Sequence, residues 1–256
     1  MSQALGTPTA LVTGASKGIG RGIAERLGHD GALVAVHYGT DAAGADETVE
    51  AIRAEGGDAF AVGADLASPG GDADLAAGLA AGLDEAGADG ALDVLVNNAG
   101  IGASTGLEDI TPDEFDRLFT VNVRAPHFLT QRLLPTLRDG GRIVNISSGA
   151  ARIAMPEMLP YAMTKGALES LTHQLAQRLG PRRITVNAVA PGIVEIDRTR
   201  RQMRENPGME DYGKTVSALG RLGTPTDVAG VVAFLASADS GWVTGQVLDA
   251  TGGSHL

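Results

Sequence analysis

The 256-residue chain has no cysteine. That absence excludes disulfides, a thiolate nucleophile and cysteine-ligated zinc together, and it fits a reducing compartment. Histidine is sparse. His29, His37, His127, His173 and His255 are scattered and no His-Glu-x-x-His spacing occurs, so a metal hydrolase has no support and no metal site is expected. No apolar run approaches the roughly 20 residues that span a bilayer, and the N-terminus lacks the charged start and apolar stretch of a secretory leader. A soluble cytoplasmic protein without a membrane partner is the expectation. Positive charge is also short: 20 Lys and Arg face 31 Asp and Glu, a formal charge of −11. Nucleic-acid binding would need a strong local basic patch against that background. The densest candidate, Arg198, Arg200, Arg201 and Arg204, is diluted by Asp197 and Glu205 and reads as a solvated helix face. No nucleic-acid partner is expected.

Hydrophobic residues are plentiful, at 43%. Short runs rich in β-branched residues occur at Thr9–Thr13, Leu33–His37, Ala59–Gly63, Leu92–Val96, Arg142–Ile146, Ile184–Val189 and Gln246–Leu248. Unbroken hydrophobicity, rather than alternation, marks strands buried on both faces, as in a parallel sheet. Between them, apolar positions recur at helical spacing in Ile19–Leu27, Ala43–Glu55, Asp72–Glu85, Pro112–Leu137, Tyr161–Leu179 and Pro225–Ala236. This rhythm predicts an α/β protein over residues 1–256: one doubly wound Rossmann domain, a parallel seven-stranded sheet with helices on both faces. No linker-like stretch divides it. Ala67–Ala91 is rich in Ala, Gly and Asp, and glycine costs about 1 kcal/mol against alanine in a helix, so a poorly packed helix and an irregular loop are expected there. The stretch 195–220 reads as irregular and breaks the rhythm; it is either a mobile lid or an ordinary surface insertion.

The first strand ends in Thr13-Gly14-Ala15-Ser16-Lys17-Gly18-Ile19-Gly20 and runs into a helix. Glycines here let the backbone turn tightly and approach a pyrophosphate, while the helix start offers free amides and a positive dipole end. A plain strand–helix turn is the bland alternative, but the position after the first strand favours a dinucleotide. No Gly-Lys-Ser/Thr follows, so this is not an NTP-binding loop. At the end of the second strand an acid would grip a ribose 2′-hydroxyl. That stretch reads Tyr38-Gly39-Thr40, with no carboxylate until Asp41, and Lys17 can reach toward the same ribose. One cation with no nearby anion suits a 2′-phosphate, hence NADP(H); the bland reading of Lys17 is a solvated surface lysine.

Tyr161 and Lys165 stand four apart at the start of a helical pattern and so share a face. A free phenol is too weak an acid to exchange protons readily near neutrality, and a fixed ammonium beside it favours the phenolate. Tyr-x-x-x-Lys alone is common on surfaces. Here it accompanies Thr13–Gly20, then Asn97-Asn98-Ala99-Gly100, then Val121-Asn122-Val123, then Ser148 thirteen residues before Tyr161, then Pro191-Gly192. With these motifs in this order the chain closely resembles the short-chain dehydrogenase/reductase family, in its compact single-domain branch, and most of all the 3-oxoacyl-carrier-protein-reductase-like ketoreductases. The resemblance implies Tyr161 as general acid/base, with Lys165 tuning it and holding the nicotinamide ribose. It implies Ser148 as donor to the substrate oxygen and Asn122 as holder of a water linking Lys165 to solvent. For the cofactor it implies contacts from Gly14, Ser16, Lys17, Gly18, Ile19, Gly20, Tyr38, Gly39, Thr40, Asp65, Leu66, Asn98, Ala99, Gly100, Val121, Tyr161, Lys165, Pro191, Gly192 and Ile193, with Asp65-Leu66 at the adenine. Ser147, next to Ser148, is the rival serine.

One departure stands out. After Pro191-Gly192 the family often carries a threonine for the nicotinamide carboxamide; here Glu195-Ile196-Asp197 occupies that place, leaving backbone groups of Ile193 and Val194, or Thr199, to replace it. The segment Ala150, Ala151, Ile153, Met155, Met158, Leu159 is apolar without a fixed cation, compatible with an apolar ketone, a thioester-bound 3-oxoacyl group or a polyketide-like substrate. Methionines there can also be gap filling. The reading is therefore NADPH-dependent reduction of a small-molecule or thioester-bound carbonyl. An NAD(H)-preferring alcohol or sugar dehydrogenase is the alternative on the same fold, and a non-catalytic NADP-binding regulator is the alternative of another class. Family likeness further implies a homotetramer or homodimer, formed through Pro112–Leu137, Tyr161–Leu179 and the apolar Trp242–Gly253 tail.

Overall fold

A computed structural model of the chain describes residues 7–102 and 106–255. Each of the seven apolar runs is a strand: β1 (Thr9–Val12), β2 (Leu33–Tyr38), β3 (Asp58–Gly63), β4 (Leu92–Asn97), β5 (Leu137–Ile146), β6 (Thr185–Pro191) and β7 (Val247–Ala250). They form a single sheet in the order β3-β2-β1-β4-β5-β6-β7, parallel at every pairing. Every residue of the central β1 and of β6 is buried, which explains why their sequences do not alternate.

Successive residues of each strand feed opposite faces. Val12, Val34, Val36 and Val96 pack beneath α1 (Gly18–His29), α2 (Ala42–Ala54) and α9 (Pro225–Ala236). Leu11, Ala35, Leu95 and Ile143 pack beneath α3 (Gly71–Glu85), α5 (Ala125–Leu133) and α6 (Leu159–Leu179). The sequence order reverses between β1 and β4, and at that switch the loops leaving the strands' C-terminal ends diverge and leave a crevice.

Three elements differ from expectation. The helical pattern over 112–137 is α4 (Pro112–Phe119), a π turn at Thr120–Arg124, and α5; the chain then reverses, and Leu137 already belongs to β5, paired with Leu92. Pro126 explains the π turn: it has no amide to give the Asn122 carbonyl, and the Ala125 amide reaches back to Thr120 instead. The stretch 195–220 is not irregular but folds as α7 (Asp197–Glu205) and α8 (Met209–Val216). The third difference is α3, which is well packed. Leu75, Leu79 and Leu83 recur every fourth residue and are almost fully buried. The glycines that looked costly face β3: a Cβ on Gly78 would stand 2.7 Å from Val62, and one on Gly82 would overlap the Phe60 ring. Their lack of a side chain lets the helix approach the sheet.

If α3 is a true core helix, Leu79→Ala should lower unfolding stability by about 2–5 kcal/mol in urea titration. A cost under about 1 kcal/mol would mean that α3 is loosely held.

Candidate active site

The glycine loop between β1 and α1 is built by steric necessity. Gly14 and Gly18 take φ of +64° and +60°, the left-handed region that disfavours a side chain. A Cβ on Gly20 would overlap the Gly14 carbonyl oxygen, and one on Gly14 would stand 3.0 Å from the Ala99 Cα. The loop is laced to the end of β4. Asn98 donates its Nδ2 to the Thr13 and Gly14 carbonyls at 2.8 and 3.0 Å, and the Asn98 and Ala99 amides both donate to Thr13 Oγ1 at 2.9 Å. Ser16, within this loop, is buried. α1 then begins with no side-chain cap and no acid in its first turn, so its positive end faces the crevice unopposed. A cradle closed to any Cβ and lined by free amides fits a pyrophosphate.

One residue here escaped the sequence reading. His37 is 2% exposed, and its Nδ1 accepts the Gly14 amide at 3.0 Å while Nε2 meets the Ala64 carbonyl at 3.0 Å. Burial pushes the imidazole below its ordinary range. The signal was a polar residue inside an otherwise apolar strand.

Beside the loop, Tyr38, Gly39 and Thr40 lead from β2 toward α2, and Tyr38 lies over Gly63. The expectation of a cation without a nearby anion does not hold: Lys17 Nζ pairs with Asp41 at 3.0 Å, which draws that carboxyl below the usual range. Asp41 also caps α2 through the Gly44 amide, and this anchors it within reach of the loop. Asp65 accepts from the Ala67 amide and Ser68 Oγ at 2.9 and 2.8 Å, so its carboxylate shapes the turn after β3. Leu66 is buried in the core.

The other half of the crevice gathers β5, α6 and the π turn. Ser147 Oγ donates to Glu169 at 2.6 Å and is tied off. Among the described residues Ser148 Oγ only accepts, from the Ala150 amide at 3.2 Å, and donates its own hydrogen to none of them. Tyr161 and Lys165 do share one face of α6, with the ammonium 5.6 Å from the phenol ring centroid. Lys165 is 5% exposed and donates to the Ile146 carbonyl at 2.8 Å. Asn122, 1% exposed, accepts the Ile101 amide through Oδ1 and donates to the Ile101 carbonyl and Thr164 Oγ1 through Nδ2. Both of its amide hydrogens are thus used in bracing this corner, while Oδ1 keeps a second lone pair. Val121 is buried beside it. A Cβ on Gly100 would come within 3.3 Å of Asn122 Oδ1 and 3.6 Å of Lys165 Nζ.

A family model described as enoyl-(acyl carrier protein) reductase matches residues 14–255. Versicolorin reductase 1 of Aspergillus parasiticus is 39% identical, the match spanning 96% of this chain and 95% of the relative. The angucycline C-6 ketoreductase LanV, solved with bound NADP, is 49% identical, with a TM-score of 0.92 over 96% of this chain and 95% of that one. Its structure with NADP and rabelomycin gives a TM-score of 0.89 over the same shares. The chain belongs to the short-chain dehydrogenase/reductase family.

As a short-chain dehydrogenase/reductase it keeps Pro191-Gly192-Ile193 at the exit of β6, where a Cβ on Gly192 would stand 2.9 Å from the Thr251 Cα. The departure from the family's threonine is not made good by Thr199. Its Oγ1 donates toward the Val194 and Ile196 carbonyls at 2.6 and 3.0 Å and accepts the Ile196 amide, so it staples the start of α7. α7 instead lays Ile196 over Gly18 and the Arg198 guanidinium against Gly102, bridging the crevice from the cofactor loop to the end of β4.

Gly20→Ala tests the cradle. The variant should keep its far-ultraviolet circular dichroism while losing at least about tenfold in affinity for a nicotinamide dinucleotide, since the loop must shift by more than a hydrogen bond tolerates. Unchanged affinity would show that the loop does not hold the ligand.

Proposed function

We propose that the chain is an NADPH-dependent ketoreductase of apolar, polycyclic, polyketide-like ketones. The observation that carries it is the buried Lys165 ammonium 5.6 Å from the Tyr161 ring, with Ser148, alone of its serine pair, donating to no other described residue. NADPH, when bound, supplies hydride to the carbonyl carbon. Negative charge then grows on the carbonyl oxygen, and the Ser148 and Tyr161 hydroxyls stabilise it as donors. Tyr161 gives up its proton to complete the alcohol, and the neighbouring ammonium stabilises the phenolate left behind. Asn122 and Gly100 keep the Lys165 corner shaped, the first by bracing Ile101, the second by leaving room.

The cofactor assignment draws on Lys17 and on the absence of an acid in Tyr38-Gly39-Thr40; LanV, at 49% identity, holds NADP. A 2′-phosphate would take Lys17 from Asp41, exchanging an exposed carboxylate for a doubly charged partner. The ketone is favoured over the carbon–carbon double bond of the family model's description, because LanV and its rabelomycin complex concern a ketoreductase. The apolar segment after Ser148 suits flat aromatic substrates, with α7 and α8 as the lid above it.

Assembly as a homotetramer or homodimer is part of the same reading. Along α4, α5 and α6 runs a groove of about 580 Å³ lined by Phe119, Phe128 and Leu171. Phe128 is 39% exposed, and Trp242, before the edge strand β7, is fully exposed. Such apolar area at a surface suits a second subunit. No helix among the described residues is long and apolar enough to cross a membrane; work in a reducing cytoplasm is supported by the lack of cysteine.

The test is NADPH absorbance against a panel of polycyclic aromatic ketones. Wild type should consume NADPH, and Tyr161→Phe should retain NADPH binding while turnover falls by at least about 10²-fold. Turnover of the variant within about tenfold of wild type would overturn the assignment.

A further inference from the structure

His37 lies at the penultimate position of β2, away from the reacting atoms, and nothing in the hydride step uses it. Its contacts nevertheless reach the centre of the glycine loop. The Gly14 amide can only donate and the Ala64 carbonyl can only accept, so two bonds of 3.0 Å fix one tautomer: Nδ1 bare, Nε2 protonated. The His37 backbone carbonyl also accepts the Ala15 amide at 2.8 Å, so ring and main chain hold two consecutive loop amides. The far side of the Gly14 peptide is held by Asn98, 3.0 Å from its carbonyl, and that carbonyl is the atom Gly20 must clear. Through Ala64 the ring also binds the turn after β3. The imidazole thus clips together the two loops that flank the adenosine half of the crevice.

We propose that His37 is a positioning residue for the cofactor: its neutral ring sets the Gly14 amide, and with it the shape of the pyrophosphate loop. This rests on the nicotinamide reading above. A proton on Nδ1 would point one donor at another, so the clip works only while the ring is neutral. Burial is the main reason it stays neutral, and no charged side chain contributes. The charges at this corner are engaged elsewhere: Asp65 with Ala67 and Ser68, and Lys17 with Asp41. Because the native ring is less basic than a free one, its contribution is complete above the free imidazole value of about 6.5 and declines as pH falls from there toward the native value.

Two substitutions separate the bonds. In His37→Asn the amide oxygen replaces Nδ1 and keeps the Gly14 contact without titrating. In His37→Gln the terminal amide reaches Ala64 instead and leaves the Gly14 amide unpaired. Fluorescence titration with NADPH at pH 7.5 should show H37Q weakened about tenfold, the loss of one buried hydrogen bond, and H37N within about threefold of wild type. kcat at saturating NADPH should be unchanged in both. Between pH 7.5 and 5.5 the wild-type Kd should rise more steeply than that of H37N; the 2′-phosphate, with a second pKa of about 6, titrates alike in both. A structural role alone would lower thermal stability without separating the two pH profiles. Equal pH profiles for wild type and H37N overturn the proposal even if H37Q fails to fold, and so does an H37Q affinity equal to wild type. Absence of NADPH binding by wild type sinks the underlying functional reading as well, and so is told apart from failure of the clip alone.

Discussion

The site depends on an ammonium buried where it has little business being. Lys165 is 5% exposed, forms no ion pair among the described residues, and donates only to the Ile146 carbonyl. A cation withdrawn from water without a counter-ion is costly, and an anion formed beside it during the reaction would offset that cost. In the proposed mechanism the phenol one helical turn away becomes that anion. Both sit on α6, and α6 is pinned to the sheet by Thr172, which accepts from Asn145 Nδ2 at 2.9 Å, and by Glu169, which accepts from Ser147. These buried polar contacts fix the rotation of the helix, and with it the direction in which Tyr161 and Lys165 face.

Neighbouring elements follow from the same requirement. Pro126 interrupts the helix opposite Lys165, the π turn brings Asn122 inward, and Asn122 braces the Ile101 backbone. Gly100 lies against Asn122, where a Cβ would stand a tight 3.3 Å from Oδ1. Across the crevice the cofactor loop is held by a separate set of contacts through Thr13, Asn98 and His37. Thr13, His37 and Asn98 lie at the C-terminal ends of adjacent parallel strands, and α6, which carries the phenol, is bonded to β5 and the residue after it in the same sheet, so the sheet relates the loop to the phenol.

Much of this was legible in the sequence. Apolar runs located every strand, because a residue buried on both faces leaves no polar alternation, and the fourfold spacing of Tyr161 and Lys165 placed them on one face. The misreadings arose where a residue's value depended on a contact that only folding makes, in most cases with a partner far along the chain. Glycines in α3 looked destabilising until Phe60 and Val62 were found against them. Lys17 looked unopposed until α2 folded back and brought Asp41 to it. Thr199 looked available for a ligand until the start of α7 used its hydroxyl. His37 carried no spacing motif, and only the pairing of β2 between β1 and β3 put Gly14 and Ala64 on its two nitrogens.

The most direct test of the central claim is a crystal structure of the protein with NADP and a polycyclic ketone analogue. The account predicts the nicotinamide ring beside Lys165, with the ketone oxygen within hydrogen-bond distance of both the Tyr161 and Ser148 hydroxyls. A ring seated elsewhere, or a ketone oxygen that neither hydroxyl reaches, would contradict it.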